Sequence, residues 1–194
     1  MSRLVVGLDL EHVDERRADH ELLGLVRSLP ERAVAVAATH WAQLGERPHV
    51  ALSLELVDPR PRALPQLLQR LPELGPRWSV ALEGEVQGDP ALAAAAQAAR
   101  SAHLERRSGR AVHFRGVGAL VGTLTVREVL ERSAVDRVRV LTAGDAAADA
   151  PVDTRDHVRP TWQGGELVLL TQPAAGGTLV PFESPTPTPC CVDH

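Results

Sequence analysis

From Arg3 to Leu82 the spacing of apolar residues switches between two and three-to-four, and that switching limits the folds open to the chain. Arg3–Leu10 alternates, with Leu4, Val6, Leu8 and Leu10 on one face and Val5, Gly7 and Asp9 on the other, which predicts a strand. Over Glu11–Ser28 the period lengthens. Val13, Leu22, Leu23, Leu25 and Val26 can share a face, and Asp14, Glu15, Arg16 and Arg17 crowd the first turns of a helix ended by Pro30. Ala33–Thr39 reads as a short strand, Trp41–Pro48 as a loop, and His49–Val57 as a strand with Val50, Leu52, Leu54 and Leu56 facing inward. Pro59 and Pro61 open a helix through Leu71, closed by Pro72, Gly75 and Pro76. Trp78, Val80 and Leu82 mark the next strand.

The order β-α-β-β-α-β resembles the ferredoxin-like split-βαβ motif, which implies four antiparallel strands with two helices on one face. The expected class is α+β, with residues 1–87 as the ferredoxin-like half. Residues 88–182 follow as an α/β segment, either separate or continuous with that half. It contains an alanine-rich helix, Ala91–Arg107, with Asp89 as N-cap and Pro90 at its first position. A strand Ala111–Phe114, a capping box Thr125-Val126-Arg127-Glu128 before a helix Val126–Arg132, and a strand Arg137–Leu141 come next. Thr142–Asp153 is low in complexity and predicts an exposed loop. Val158–Trp162, Glu166–Thr171 and Thr178–Phe182, separated by glycine turns, predict an antiparallel β-meander. Residues 183–194 form a Pro-rich extended tail.

Several chemistries are excluded by absence. The 194 residues include no Lys, Tyr, Ile or Asn, a bias that a GC-rich genome explains. Without Lys there is no P-loop or Schiff-base lysine. With net charge −4, three Trp and two Phe, neither phosphate contacts nor base stacking favours a nucleic acid partner. Met1–Leu10 lacks the apolar run of a secretory leader, and no stretch has the length of a membrane span, so a cytoplasmic location without membrane contact is expected.

Both cysteines lie in the last thirteen residues, Phe182–His194. Pro185, Pro187 and Pro189 stiffen the approach to Cys190, Cys191, Asp193 and His194. Adjacent cysteines sit too close to bridge readily, so two thiols and an imidazole fall within five residues. Sulfur and imidazole suit zinc, copper or iron. A turn would be needed to bring both sulfurs to one ion, with His157 or His113 completing the set. The alternatives are a tail that is merely buried or exposed, and one that docks extended into a protein partner.

Two further segments carry weaker signals. Gly116-x-Gly118-x-x-x-Gly122 follows a strand. If Gly118–Arg132 were one helix, Asp145 would stand past the next strand, as an acid that binds ribose does. The pattern resembles the nucleotide turn of dinucleotide-binding proteins and of adenylating activating enzymes, though the third glycine is one place late. A glycine-kinked strand is the other reading. Asp9, Glu11 and His12 end the first strand, and Asp-x-Glu there resembles the first motif of DnaQ-like exonucleases, which implies a divalent cation. Helix-capping acids explain the same residues. His40, His49, His103 and His113 read as structural singletons. The leading expectation is a small binding or accessory protein presenting a Cys-Cys-x-x-His site. A nucleotide-binding enzyme and a docking scaffold are the alternatives.

Overall fold

The computed structural model describes residues 3–42, 48–57 and 62–184. It is mixed α+β, with four α-helices among the described residues. Cys190, Cys191 and His194 lie outside them, as do Pro59 and Pro61. The chain divides into two compact units, residues 1–115 with 161–166, and residues 116–160 with 167–194.

The first unit is built on strands β1 (Arg3–His12), β2 (Val34–Ala42), β3 (His49–Val57), β4 (Ser79–Ala81), β5 (Val86–Gly88), β6 (Arg110–Phe114) and β11 (Thr161–Gln163). They lie in the order β5-β4-β1-β3-β2-β6-β11, every neighbouring pair antiparallel. Its helices are α1 (Glu15–Ser28), α2 (Ala63–Leu74) and α3 (Pro90–Leu104).

The two faces of this sheet differ in chemistry. Val6, Leu8, Val50, Leu52, Leu54 and Leu56 lie on one face and cluster with Leu22 and Leu25 of α1 and Leu67 and Leu71 of α2. The intervening residues of the same strands are mostly small or polar, among them Gly7, Ala51, Ser53 and Glu55. Ala42 and Ala51 pack against Ala95 and Ala99, so α3 covers this second face. The helix sits close. A Cβ placed on Gly7 would stand 2.0 Å from the Ala96 carbonyl oxygen and 2.8 Å from Arg100 Cβ. Alanine on the helix and glycine on the strand are what let the two backbones approach. Asp89 caps α3 by accepting from the Ala91 amide at 2.9 Å, with Pro90 in the first turn.

Several element boundaries depart from the sequence-based expectation. The first strand runs to His12, across a bulge at which Glu11 takes a φ of 57°. Asp14, not Glu11, sets the helix start, because its carboxylate accepts from the Arg17 amide at 2.8 Å. Pro72 lies inside α2 rather than closing it. Its missing donor falls near the helix end, and the buried Leu67 and Leu71 hold the turn in place. Strand β2 continues through Trp41, where the sequence predicts a loop.

In the second unit, β7 (Thr123–Thr125), α4 (Val126–Arg132), β8 (Arg137–Val140), β9 (Gly144–Asp145), β10 (Pro151–Asp153), β12 (Glu166–Pro173) and β13 (Leu179–Pro181) surround a core that includes Val129, Val138, Val152, Leu169 and Val180. Strand β8 pairs β12 and β10 pairs β13 in parallel, while β12–β13, β7–β10 and β8–β9 are antiparallel. The segment predicted as a plain loop, 142–153, contains β9 and β10. Composition concealed this, because the two strands are only two and three residues long and pair through backbone groups, leaving no alternation to read. The capping box forms as predicted: Thr125 Oγ1 accepts from the Glu128 amide at 3.2 Å, and Glu128 Oε2 accepts from the Thr125 amide at 2.8 Å. Among the described residues no helix is long and apolar enough to cross a membrane.

Candidate functional site

The small-residue face under α3 carries a concentrated buried polar group. Ser53 follows from the alternation of β3: between the core residues Leu52 and Leu54 it must point to the other face. Its neighbour across the β2–β3 ladder is Ala38, and His40 lies two residues further along β2. His103 comes from the last turn of α3. The Ser53 hydroxyl is 2.7 Å from His40 Nε2 and 2.7 Å from His103 Nδ1. Ser53 is fully buried, and His40 and His103 are 7% and 3% exposed.

On the far side of His103, Nε2 stands 3.7 Å from Glu55 Oε2, an electrostatic contact longer than a hydrogen bond. Glu55 accepts a 2.6 Å hydrogen bond from Arg3 Nη1. The His103 imidazole and then Arg3 hold the Glu55 carboxyl below the usual carboxylate range, against the effect of burial. Burial, aided by the nearby His103, pushes His40 down to about 3. His40 is therefore neutral at physiological pH.

A hydroxyl has one proton to give. Ser53 donates to one imidazole and receives from the other, so the chain of hydrogen bonds has a direction. An ionised Glu55 beside His103 Nε2 favours a proton on that nitrogen. Ser53 then donates to His103 Nδ1, and His40 Nε2 donates to Ser53. In its neutral form His103 thus presents an Nε2–H donor that has no hydrogen-bond partner among the described residues. His40 Nδ1 is likewise unpartnered and lies against Gly109, where a Cβ would come within 2.4 Å of the ring.

His103 opens onto a cleft of about 360 Å³ lined by Arg3, Leu4, Val5, Glu55, Glu83, Arg100, Leu104 and Arg106. Arg100 is anchored by its Nε, which donates to the Val5 carbonyl at 3.0 Å. Arg106 stacks on Trp162, its guanidinium carbon 5.0 Å from the ring centroid. Trp162 reaches this place because β11 pairs with β6 and its amide donates to the Gly109 carbonyl at 2.9 Å. The ring centroids of Trp162 and His103 are 6.4 Å apart. Neither Arg100 nor Arg106 pairs with a carboxylate among the described residues.

The residues singled out from sequence sit elsewhere. Asp9 is fully buried and its Oδ2 lies 2.7 Å from His49 Nε2, while Oδ1 accepts from the Glu11 amide. Glu11 accepts instead from Arg77 Nη1 at 2.6 Å, and Arg77 also donates to Asp89. His12 faces Glu21 at 3.1 Å, and burial lowers its pKa. The bulge thus sends Asp9, Glu11 and His12 to three different partners.

Gly116 is left-handed, with φ of 82°, and a Cβ there would stand 2.0 Å from the Arg132 carbonyl oxygen. Gly118 lies in a short 3₁₀ turn, and the Gly122 amide donates to Asp156 Oδ1 at 3.0 Å. The strand β7 separates these glycines from α4, whose first amides are taken: Val126 donates to Ala150 and Arg127 to Ala148. Asp145, on β9, pairs with Arg137 at 3.7 Å. His113 lies on β6 with its pKa lowered by burial, and His157 Nε2 is 3.0 Å from Glu183 Oε1. Among the described residues no three His, Cys, Asp or Glu side chains are grouped as a metal site.

Sequence reasoning passed over Ser53, Glu55, Arg100 and Arg106, and read His40 and His103 as structural singletons. One signal was present: Ser53 and Glu55 interrupt an otherwise apolar strand at a spacing of two, which puts both on one face. What it lacked was the identity of the covering helix and of the neighbouring strand. No protein-family model, curated protein or solved structure matches the chain.

Proposed function

We propose that the chain is a small-molecule binding protein whose first unit takes an anionic ligand in the cleft above His103. The observation that carries this reading is the buried His103 Nε2, which has no hydrogen-bond partner among the described residues, beside Arg100 and Arg106, which pair with no carboxylate among them. A buried donor without a partner is costly, and an oxyanion would supply the acceptor. An imidazole N–H donor beside arginine suits recognition of an oxyanion. The strand order β4-β1-β3-β2, with α1 and α2 on one face, supports reading the N-terminal part as ferredoxin-like.

Side-chain ¹⁵N spectra of histidine and arginine, recorded during titration with a panel of acetate, sulfate and phosphate at constant ionic strength, test the reading. Saturable shifts of His103 and Arg106 with at least one anion are expected. Purely linear shifts with all of them would dispose of the site.

A second reading rests on the sequence alone: the clustering of Cys190, Cys191 and His194 favours a metal- or thiol-binding tail in a cytoplasmic protein, or a tail that docks into a protein partner. Elemental analysis of anaerobically purified protein, beside a chain ending at Glu183, separates these. One equivalent of zinc, copper or iron lost with the tail supports the metal. Its absence from both proteins leaves docking, which a pull-down dependent on residues 184–194 would reveal.

A further inference from the structure

We infer that the ligand of the first unit's cleft is a monocarboxylate with a short apolar body, an inference that rests on the anion-binding reading above. The charges lining the cleft set the ligand's charge. Three guanidinium groups, Arg3, Arg100 and Arg106, face two carboxylates, Glu55 and Glu83, so a single positive charge is left over. Arg3 is already committed to Glu55 at 2.6 Å. A phosphate dianion would add a second negative charge close to Glu55, which stands 3.7 Å from the very nitrogen that would receive the ligand. A carboxylate brings one charge and two oxygens, enough for His103 Nε2–H and a guanidinium fork together.

The remaining lining names the rest of the ligand. Leu4, Val5 and Leu104 supply apolar surface beside the polar floor. Leu104, at the end of α3, is 51% exposed. A few methylenes lying on Leu104 and Leu4 would cover this surface. Arg106 is held by the Trp162 face rather than by an acid, so its charge remains available to the ligand. Arg100 spends its Nε on the Val5 carbonyl, which fixes the guanidinium while leaving its terminal nitrogens free to donate.

Isothermal titration of the full chain with butyrate, and separately with inorganic phosphate, tests the inference at one pH and ionic strength. Butyrate is expected to bind the more tightly, and Arg106→Gln and Arg100→Gln are each expected to weaken it by about tenfold. Arg106 is exposed, so its substitution leaves the fold intact even if Arg100→Gln does not. Phosphate binding more tightly than butyrate, with the same arginine dependence, would overturn the monocarboxylate while leaving the anion site standing. Butyrate affinity unchanged in Arg106→Gln would also overturn it. Binding of neither anion would remove both the inference and the reading beneath it.

Discussion

Loss of the Ser53 hydroxyl would leave two buried groups unpaired at once. In Ser53→Ala, His40 Nε2 and His103 Nδ1 both lose their partner in a region closed to water. Each orphaned buried nitrogen costs roughly 1–3 kcal/mol, so a loss of about 3 kcal/mol is expected in urea unfolding. A loss below about 0.5 kcal/mol would mean that the network contributes little. The same network gives stability a pH dependence. His40 is held down to about 3 when folded, against an ordinary value of 6.5. Between those values the unfolded chain takes up a proton that the folded chain refuses. Stability from His40 is therefore complete above pH 6.5 and falls as pH drops toward 3, at ~1.4 kcal/mol per pH unit. His12 and His113, also lowered by burial, add in the same direction over part of that window. The Glu55 carboxyl, lowered by His103 and Arg3, has the same sign at lower pH: its contribution is present above the ordinary carboxylate range and is lost as pH falls through the folded value. Urea midpoints between pH 7 and 4.5 should show the slope reduced by about one proton in His40→Gln. An unchanged slope would locate the proton uptake elsewhere.

Helix α3 owes its place to its smallness, and Gly7 shows how little room there is. A methyl at Gly7 would meet the Ala96 carbonyl oxygen at 2.0 Å, a backbone atom that can move only with the helix. Gly7→Ala is expected to cost about 3 kcal/mol, at the upper end for overpacking. Gly24 is the contrast. It lies exposed within α1, and a methyl placed there would meet nothing within 4 Å, so Gly24→Ala should gain about 0.5–1 kcal/mol from the helix propensity of alanine. Thermal unfolding of the two variants with opposite shifts checks the pair, and a neutral Gly7→Ala would show that α3 is free to lift from the sheet. At this scale much was legible. The helix from Pro90, its Asp89 cap, the strand His49–Val57 and the Thr125 capping box follow from local rules that need no tertiary context. The bulge at Glu11, the proline inside α2 and the strands β9 and β10 were not legible. The bulge and β10 are decided by partners distant in sequence, Val50 opposite His12 and Leu179 opposite Val152, while β9 is a two-residue pairing with β8 that no side-chain pattern marks.

Across the whole chain the first unit is not continuous in sequence, and this bears directly on the site. Residues 161–166 return to it after forty-five residues assigned to the second unit, 116–160, and bring Trp162 onto His103 and Arg106. No local pattern announces that return, because Thr161 pairs with Arg110 and so joins positions on either side of a complete intervening segment. The strand that pairs with β6 at this edge and the ring that supports Arg106 are therefore absent from a chain ending at Arg115. Trp162 is 6% exposed, and leaving such an aromatic out forfeits roughly 2–3 kcal/mol of burial together with the cation–π contact. A fragment of residues 1–115 is expected to unfold at lower urea than the same fragment joined through a short glycine–serine loop to residues 160–167. Both lack the second unit, so the difference isolates the returning segment. Trp162→Ala in the joined fragment should bring its midpoint back to that of residues 1–115. Equal midpoints for the two fragments would mean that the returning strand rests on the first unit without stabilising it, and that Arg106 is held by something other than the indole.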